Sequence, residues 1–445
     1  MLGFKFLGNT HVPHKKNTAG MQGVKITPPA EVLLPILQNI GAPATILVKK
    51  GDTVKIGQKI AEAEGFVSSP VYATVSGTVV GVEPYMRPTG IRTDAIRIQS
   101  DGLMTLDESI KPPVVNDLDS FIAAVRESGV VGLGGAGFPT AVKLAALKTG
   151  NIDTIVINGA ECEPHLTSDT ATMLYSGELI KEGIALLEKY ASVSKYAFAV
   201  EKNKPECIKK LRELFADNAK VEVSVLPALY PQGAEKVTIY NTTKRVVPEG
   251  KLPADIGVLV INVTTLAKIA EYIATGMPLV EKCITVDGTA IASPKNVIAP
   301  IGTSIKDVIE FVGGTSAEVG KVVFGGPMMG IAAESISEPV AKTTNGITVF
   351  ADKDAYKAEP TACIHCGRCV RACPLGLDPI AFANAMNVDS KEERMDRLES
   401  VRVNLCMECG CCSYVCPAHR PLIQNNKICK AELKDYLAHQ QTLKD

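Results

Sequence analysis

Two blocks of cysteines mark the C-terminal part of the sequence. The first is Cys363-x2-Cys366-x2-Cys369-x3-Cys373-Pro374, and the second is Cys406-x2-Cys409-x2-Cys412-x3-Cys416-Pro417. Three thiolates at steps of three line one side of a tight loop and can hold three irons of a cubane. The fourth, followed by proline, is carried toward the other centre. This spacing predicts crossed ligation. Cys363, Cys366, Cys369 and Cys416 would hold one [4Fe–4S] cluster, and Cys406, Cys409, Cys412 and Cys373 a second. Zinc sites use four ligands in Cys-x2-Cys pairs, and two full quartets each ending in Cys-Pro argue against that reading. Cys411 and Cys429 read as plain thiols, and His365 as a solvent-facing turn residue. Paired clusters move single electrons, so the long segment ahead of them is expected to hold a donor or acceptor.

A glycine-rich stretch supplies the candidate. In "VVGLGGAGFPTAVKL", Gly132, Gly134 and Gly137 fit G-x-G-x-x-G. The dinucleotide fingerprint needs a strand directly before the glycines and a helix directly after. Upstream lies the helical pattern "SFIAAVRESG", leaving only Val130-Val131 as strand. Downstream, Pro139 biases Phe138 to an extended conformation, so the helix starts near Thr140, read as its N-cap. The strict fingerprint fails on both sides. What remains is a backbone free to approach a ligand, a helix start that favours an anion, and Lys143 one turn in. The next segment, "TIVINGAECEPHLTSD", runs a strand into Asn158, Glu161 and Glu163, where α/β sheets bind ligands.

The elements that must position these groups form several modules. Residues 1–40 read as an irregular segment. Residues 41–105 read as short strands with hairpins at Gly51-Asp52 and Ser76-Gly77. There, "VKKGDTVKIGQKI" and "SGTVVGV" resemble the barrel-sandwich hybrid fold of lipoyl and biotinyl carriers. The turn "AEGFVSSPVYA" lacks the modifiable Lys, so a structural module is expected. Residues 115–275 alternate strand and helix, an α/β domain with an at least partly parallel sheet. Residues 276–340 suit a small β-grasp domain, and 355–430 a helical dicluster ferredoxin domain. Its helices are expected in "DPIAFANAMN" and "SKEERMDRLES". The fold class is thus multidomain α/β. Thirteen cysteines, ten of them between Cys363 and Cys429, suit metal rather than a disulfide framework. A net charge of −1 gives no pull toward nucleic acid. No run of eighteen apolar residues predicts a membrane span, and the N-terminus lacks a signal-peptide pattern. A cytoplasmic location is the expectation.

Four segments, "GLGGAGFPTAVK", "NGAECEP", "YPQGAEK" and "VINVTTLA", resemble in the same order the flavin-binding segments of the NADH-oxidising flavoprotein subunit of respiratory complex I. The resemblance implies non-covalent FMN with NADH placed over it. Gly132, Gly134 and Lys143 would hold the phosphate and ribityl chain. Asn158, Glu161, Glu163, Tyr230, Glu235, Asn262 and Thr265 would line the flavin pocket. Phe138 and Glu163 would lie on the nicotinamide side as the catalytic pair. The sequence departs from that pattern at Ala160, Ala234 and Ile261, and no aromatic platform for adenine stands near "VPEGKLPADIG".

The full order is "HVPHKKNTAG", the sandwich, the flavin domain, the β-grasp with "VVFGGPMMG" and the dicluster tail. It resembles the C subunits of Rnf membrane complexes. That implies a peripheral subunit on the cytoplasmic face, passing electrons between NAD(H), FMN and two [4Fe–4S] clusters. The complex would pump sodium ions or protons. Its partners would be the other subunits and, indirectly, ferredoxin. The sandwich and β-grasp modules would be docking surfaces or spacers. Two rivals stay open: a soluble flavin and iron–sulfur reductase similar to cobalamin reductases, and a non-catalytic electron-wire subunit.

Overall fold

The computed structural model describes residues 8–355 and 358–442. Its strands form four sheets. At the centre is a four-stranded parallel sheet in the order Val221–Leu226, Lys195–Glu201, Thr154–Asn158, Val258–Asn262. The middle strands "TIVIN" and "KYAFAVE" are nearly all buried, as continuous apolar runs in a sheet covered on both faces should be. On Gly177–Tyr190, Ile180, Gly183, Ile184 and Leu187 make one buried stripe. A Cβ at Gly183 would stand 2.7 Å from the Leu266 side chain, so this glycine lets the helix close on Val263–Thr275. That second helix is capped by Asn262, whose side chain accepts from the Thr265 amide, and ends at Gly276 in the left-handed region.

The sandwich module differs from the expected hairpins. Ala44–Ile46 pairs with Lys59–Ala63, whereas Thr53–Val54 pairs with Gly77–Met86. The chain at Gly51-Asp52 therefore crosses between two sheets, and it does so again at Ser76-Gly77. Alternating apolar residues define strands but not their partners, and two facing sheets satisfy the pattern equally well. The long hairpin is instead Gly77–Met86 with Arg92–Ser100. The segment read as irregular holds two strands. Glu31–Pro35 pairs with Arg92–Ser100, and Val24–Lys25 pairs with Val297–Ile298 of the β-grasp sheet. The β-grasp sheet also extends past residue 340. Gly346–Ala351 lies between Glu281–Asp287 and Val319–Phe324.

The sandwich and the flavin domain share one apolar core, from Val32 and Ile98 through Phe121 and Ile157 to Ile301. The β-grasp has its own around Ile284, Val308 and Ile347. The C-terminal domain packs Phe382, Met395, Leu398 and Val403 against Cys429 and Leu433. Pro379–Ala385 and Lys391–Ser400 are helices, and a last helix, Leu422–Thr442, runs beyond residue 430. No helix among the described residues is long and apolar enough to cross a membrane.

Candidate flavin cavity and cysteine centres

The glycine stretch is a closed loop rather than a strand-to-helix turn. The Gly132 amide donates to the Phe138 carbonyl (2.8 Å), the Gly137 amide donates to the Gly132 carbonyl (3.2 Å), and Val131 bridges Pro139. Gly137, at φ +70°, makes the turn and packs on Thr343. The helix that follows is Thr140–Leu144, with Pro139 before it. Thr140 is therefore its first residue, not its N-cap: the proline fixes the extended residue that precedes the first turn. The Thr140 hydroxyl is buried without a partner.

This loop forms one wall of a cavity of about 1040 Å³. Gly132, Gly134, Phe138, Lys143, Asn158, Glu161, Glu163, Tyr230, Glu235, Asn262 and Thr265 all line it. A Cβ at Gly134 would come 3.2 Å from Asn262 Nδ2, so any side chain there would intrude on the cradle. Glycine cradle, lysine and volume fit an FMN.

The side chains are more committed to the protein than the sequence suggests. Lys143 Nζ pairs with Glu235 (2.8 Å) and donates to the Val260 carbonyl (2.9 Å). The Glu161 carboxylate accepts from the amides of Asp169 and Thr170 and from the Thr170 hydroxyl. It thereby caps the helix Ser168–Tyr175. Thr265 Oγ1 accepts from the Leu133 amide (2.9 Å), which fixes the glycine loop. Asn158 bridges the Gly233 carbonyl and the Ala160 amide. Glu163 accepts from the amides of Met328 (3.0 Å) and Met329 (2.7 Å), so it holds a β-grasp loop over the cavity. Burial raises its carboxyl above the usual range, against the pull of those amides and of Lys16.

Several groups at the cavity escaped the sequence reading. Asp169 lines it and accepts from Asn262 (2.8 Å) and Thr264 (2.6 Å). Burial and the neighbouring Glu161 push its carboxyl upward. Lys16 explains the conspicuous "HVPHKKNTAG" segment. The residue is partly exposed, but its ammonium is enclosed and donates to the carbonyls of Glu161 (2.8 Å), Glu163 (2.7 Å) and Leu166. Next to it, His165 (φ +70°) meets Asp287, to which Asn17 also donates. Lys282 is buried and donates to the Leu133 carbonyl (3.0 Å), Lys342 carbonyl (2.9 Å) and Asn345. Flavin loop, N-terminal segment and β-grasp are therefore tied by buried lysines. Neither outer module is only a spacer, because both line the cavity.

The two cysteine blocks repeat one backbone. His365 and Glu408 share φ of +52° and +59°, and Gly367 and Gly410 share +69° and +80°. Cys373 lines one small cavity together with Cys406, Cys409 and Cys412. Cys416 packs in one cluster with Cys369 and with Cys412. Among the described residues no three His, Cys, Asp or Glu side chains converge on a single-ion position. Amide or side-chain N–H groups approach Cys363, Cys373 and Cys406 at 3.3–3.5 Å. Cys411 and Cys429 are buried, near the Tyr230 and Phe382 carbonyls.

The second block abuts the flavin cavity. Met407 lines that cavity, and the Tyr230 hydroxyl donates to the Cys409 carbonyl at 2.8 Å. Cys366, in the first block, is exposed. Flavin cradle and dicluster domain in one chain define an iron–sulfur flavoprotein.

Known proteins make the class specific. Residues 4–103 match the RnfC barrel-sandwich hybrid domain and 125–271 the Nuo51 FMN-binding domain. Residues 283–332 match the SLBB domain, and 355–417 a 4Fe-4S dicluster domain. Two relatives are C subunits of ferredoxin:NAD(+) oxidoreductase complexes. Over 432 residues the chain is 43% identical to that of the Na(+)-translocating complex of Acetobacterium woodii, a match covering 96% of this chain and 97% of the relative. Identity is 40% to that of the proton-translocating complex of Clostridium ljungdahlii, over 84% and 82% of the two chains. An NAD+-reducing [NiFe]-hydrogenase chain shares the fold, with TM-score 0.51 and 19% identity, covering 74% of this chain and 67% of its own. The protein belongs to the family of Rnf complex C subunits.

Proposed function

We propose that this chain is the peripheral, cytoplasmic-face subunit of an ion-translocating NAD:ferredoxin oxidoreductase. It exchanges electrons between NAD(H) and partner subunits. When bound, FMN exchanges electron pairs with NADH and single electrons with iron–sulfur clusters. The chain's own residues supply position and surroundings. Gly132 and Gly134 let the backbone approach FMN, with Lys143 as the cation for its phosphate. Asn158, Glu161, Tyr230, Glu235, Asn262 and Thr265 surround the ring and ribityl chain. Phe138 and Glu163 border the nicotinamide side. Cys406, Cys409, Cys412 and Cys373 form the cluster nearer the flavin. Cys363, Cys366, Cys369 and Cys416 form the outer one, toward the partner.

The observation that carries this reading is the Tyr230 hydrogen bond to the Cys409 carbonyl, because Tyr230 also lines the flavin cavity. One residue thus joins the flavin wall to a cluster loop. With no crossing helix among the described residues, ion movement falls to membrane-embedded partners. The test uses membrane vesicles carrying the complex. Stripping this chain with chaotrope should abolish NADH-linked ferredoxin turnover, and adding it back should restore it. Turnover that survives complete removal of the chain contradicts the proposal.

A further inference from the structure

We propose that the tip of the sandwich module holds the adenosine-diphosphate half of the nicotinamide dinucleotide. Arg87 takes the pyrophosphate and Phe66 the adenine. This rests on the NAD(H) reading above and adds a site to it.

The cavity is larger than the flavin cradle. At about 1040 Å³ it lies at the upper end of the roughly 300–1,000 Å³ of ligand pockets. Its far walls come from outside the flavin domain. The sandwich segment Leu37–Ile40 lines it, docked on the glycine loop by the Ile40 amide donating to the Gly137 carbonyl (3.0 Å). Phe66, Tyr85 and Arg87 line it too.

Two cations border this space, Lys143 at the glycine-loop end and Arg87 on the sandwich hairpin. Lys143 is engaged by Glu235 and the Val260 carbonyl. The Arg87 guanidinium has no hydrogen-bond or ion-pair partner among the described residues, although it is partly desolvated by burial. Its backbone is fixed: the Arg87 amide donates to the Ile91 carbonyl (3.0 Å), and the Gly90 amide to the Arg87 carbonyl (2.8 Å). A held, partly desolvated guanidinium without a partner matches a bidentate phosphate ligand.

Phe66 is 69% exposed and lines the same cavity. Its loop is pinned by Arg126, which donates to the carbonyls of Gly65 (2.6 Å) and Phe66 (3.2 Å). A fixed, open aromatic face suits stacking of a base. The adenine platform missing near "VPEGKLPADIG" would thus come from another module.

The experiment uses the full FMN-loaded chain and two probes. ADP-ribose binding is measured by calorimetry. Flavin reduction is measured with NADH and with reduced nicotinamide mononucleotide, which lacks the ADP half. Arg87→Ala and Phe66→Ala should each weaken ADP-ribose binding by about tenfold or more. They should raise the KM for NADH while leaving kcat and the mononucleotide reaction unchanged. Arg87→Lys should restore part of the affinity. If Arg87→Ala loses FMN, Arg87→Gln and Phe66→Ala carry the same comparison. Unchanged ADP-ribose affinity in both single variants, or equal damage with both donors, overturns this assignment alone. A wild-type flavin that NADH does not reduce overturns the NAD(H) reading beneath it.

Discussion

Replacing Lys16 with Met tests how the cavity wall is built. The Lys16 ammonium donates to three carbonyls, those of Glu161, Glu163 and Leu166. A methionine keeps much of the stem's volume but leaves the Glu163 and Leu166 carbonyls without their lysine donor, while the Glu161 carbonyl keeps Lys204 (3.3 Å). An abandoned buried acceptor costs about 1–3 kcal/mol. Removing the ammonium also removes its own desolvation, which already holds the Lys16 pKa below its ordinary value. Two abandoned acceptors together cost about 2–6 kcal/mol, and the relieved desolvation offsets part of that, leaving about 2–4 kcal/mol. For a flavin-domain-sized unit each kcal/mol lowers the melting temperature by about 2–4 °C, so a drop on the order of 10 °C is expected. The loop from Glu161 to Leu166 loosens first, so FMN per chain should fall after gel filtration. The iron content should stay near that of the wild type, because Lys16 donates to no cysteine loop. Melting followed by flavin fluorescence, with FMN and iron assays, reads all three. A melting shift within about 2 °C and full FMN retention would refute the reasoning.

Cys416→Ala should remove the cluster of the first block and leave the second reducible by NADH. Cys373→Ala should remove the cluster of the second block and leave the first, which NADH then reduces only slowly because the nearer relay is gone, each variant falling from about eight irons to about four; the opposite pairing in electron paramagnetic resonance would falsify crossed ligation. Lys342 donates to the carbonyls of Pro70 (2.6 Å) and Gly129 (2.8 Å) and to Ser69, and burial pushes its ammonium down to about 7 from 10.5. Between those pH values the unfolded chain keeps a proton the native chain releases, so stability rises with pH across that window. Lys342→Met should remove this slope, up to about 1.4 kcal/mol per pH unit; parallel melting curves of the two chains from pH 7 to 10 would contradict it.

What was legible in the sequence was local. Cysteine spacing is a short-range pattern, and it survives in two loops with matching positive φ at His365 and Glu408. Strand and helix periodicity defined the flavin domain, because buried runs such as "TIVIN" and stripes such as Ile180, Ile184 and Leu187 need no knowledge of their neighbours. Pairing was not legible. The strands around Gly51-Asp52 and Ser76-Gly77 alternate as hairpins would, yet each turn crosses between sheets. Glu31–Pro35 and Gly346–Ala351 owe their places to partners far along the chain. Long-range tertiary acceptors were equally hidden. Lys16, Lys282 and Lys342 look like surface charges in sequence, but carbonyls from other modules enclose their ammonium groups. Glu161 has the sequence position of a flavin group, while its carboxylate caps a helix seven residues on. Pro139 did carry the right message, since it separates this closed loop from the dinucleotide fingerprint.

The central claim is that one chain holds a flavin reducible by NADH and two clusters that accept its electrons. Anaerobically purified protein should contain about eight irons, about eight sulfides and one non-covalent FMN. On rapid mixing with NADH, the flavin absorbance should bleach and the cluster absorbance should follow. Full cofactor content with no bleaching would contradict the account, and so would bleaching that never reaches the clusters.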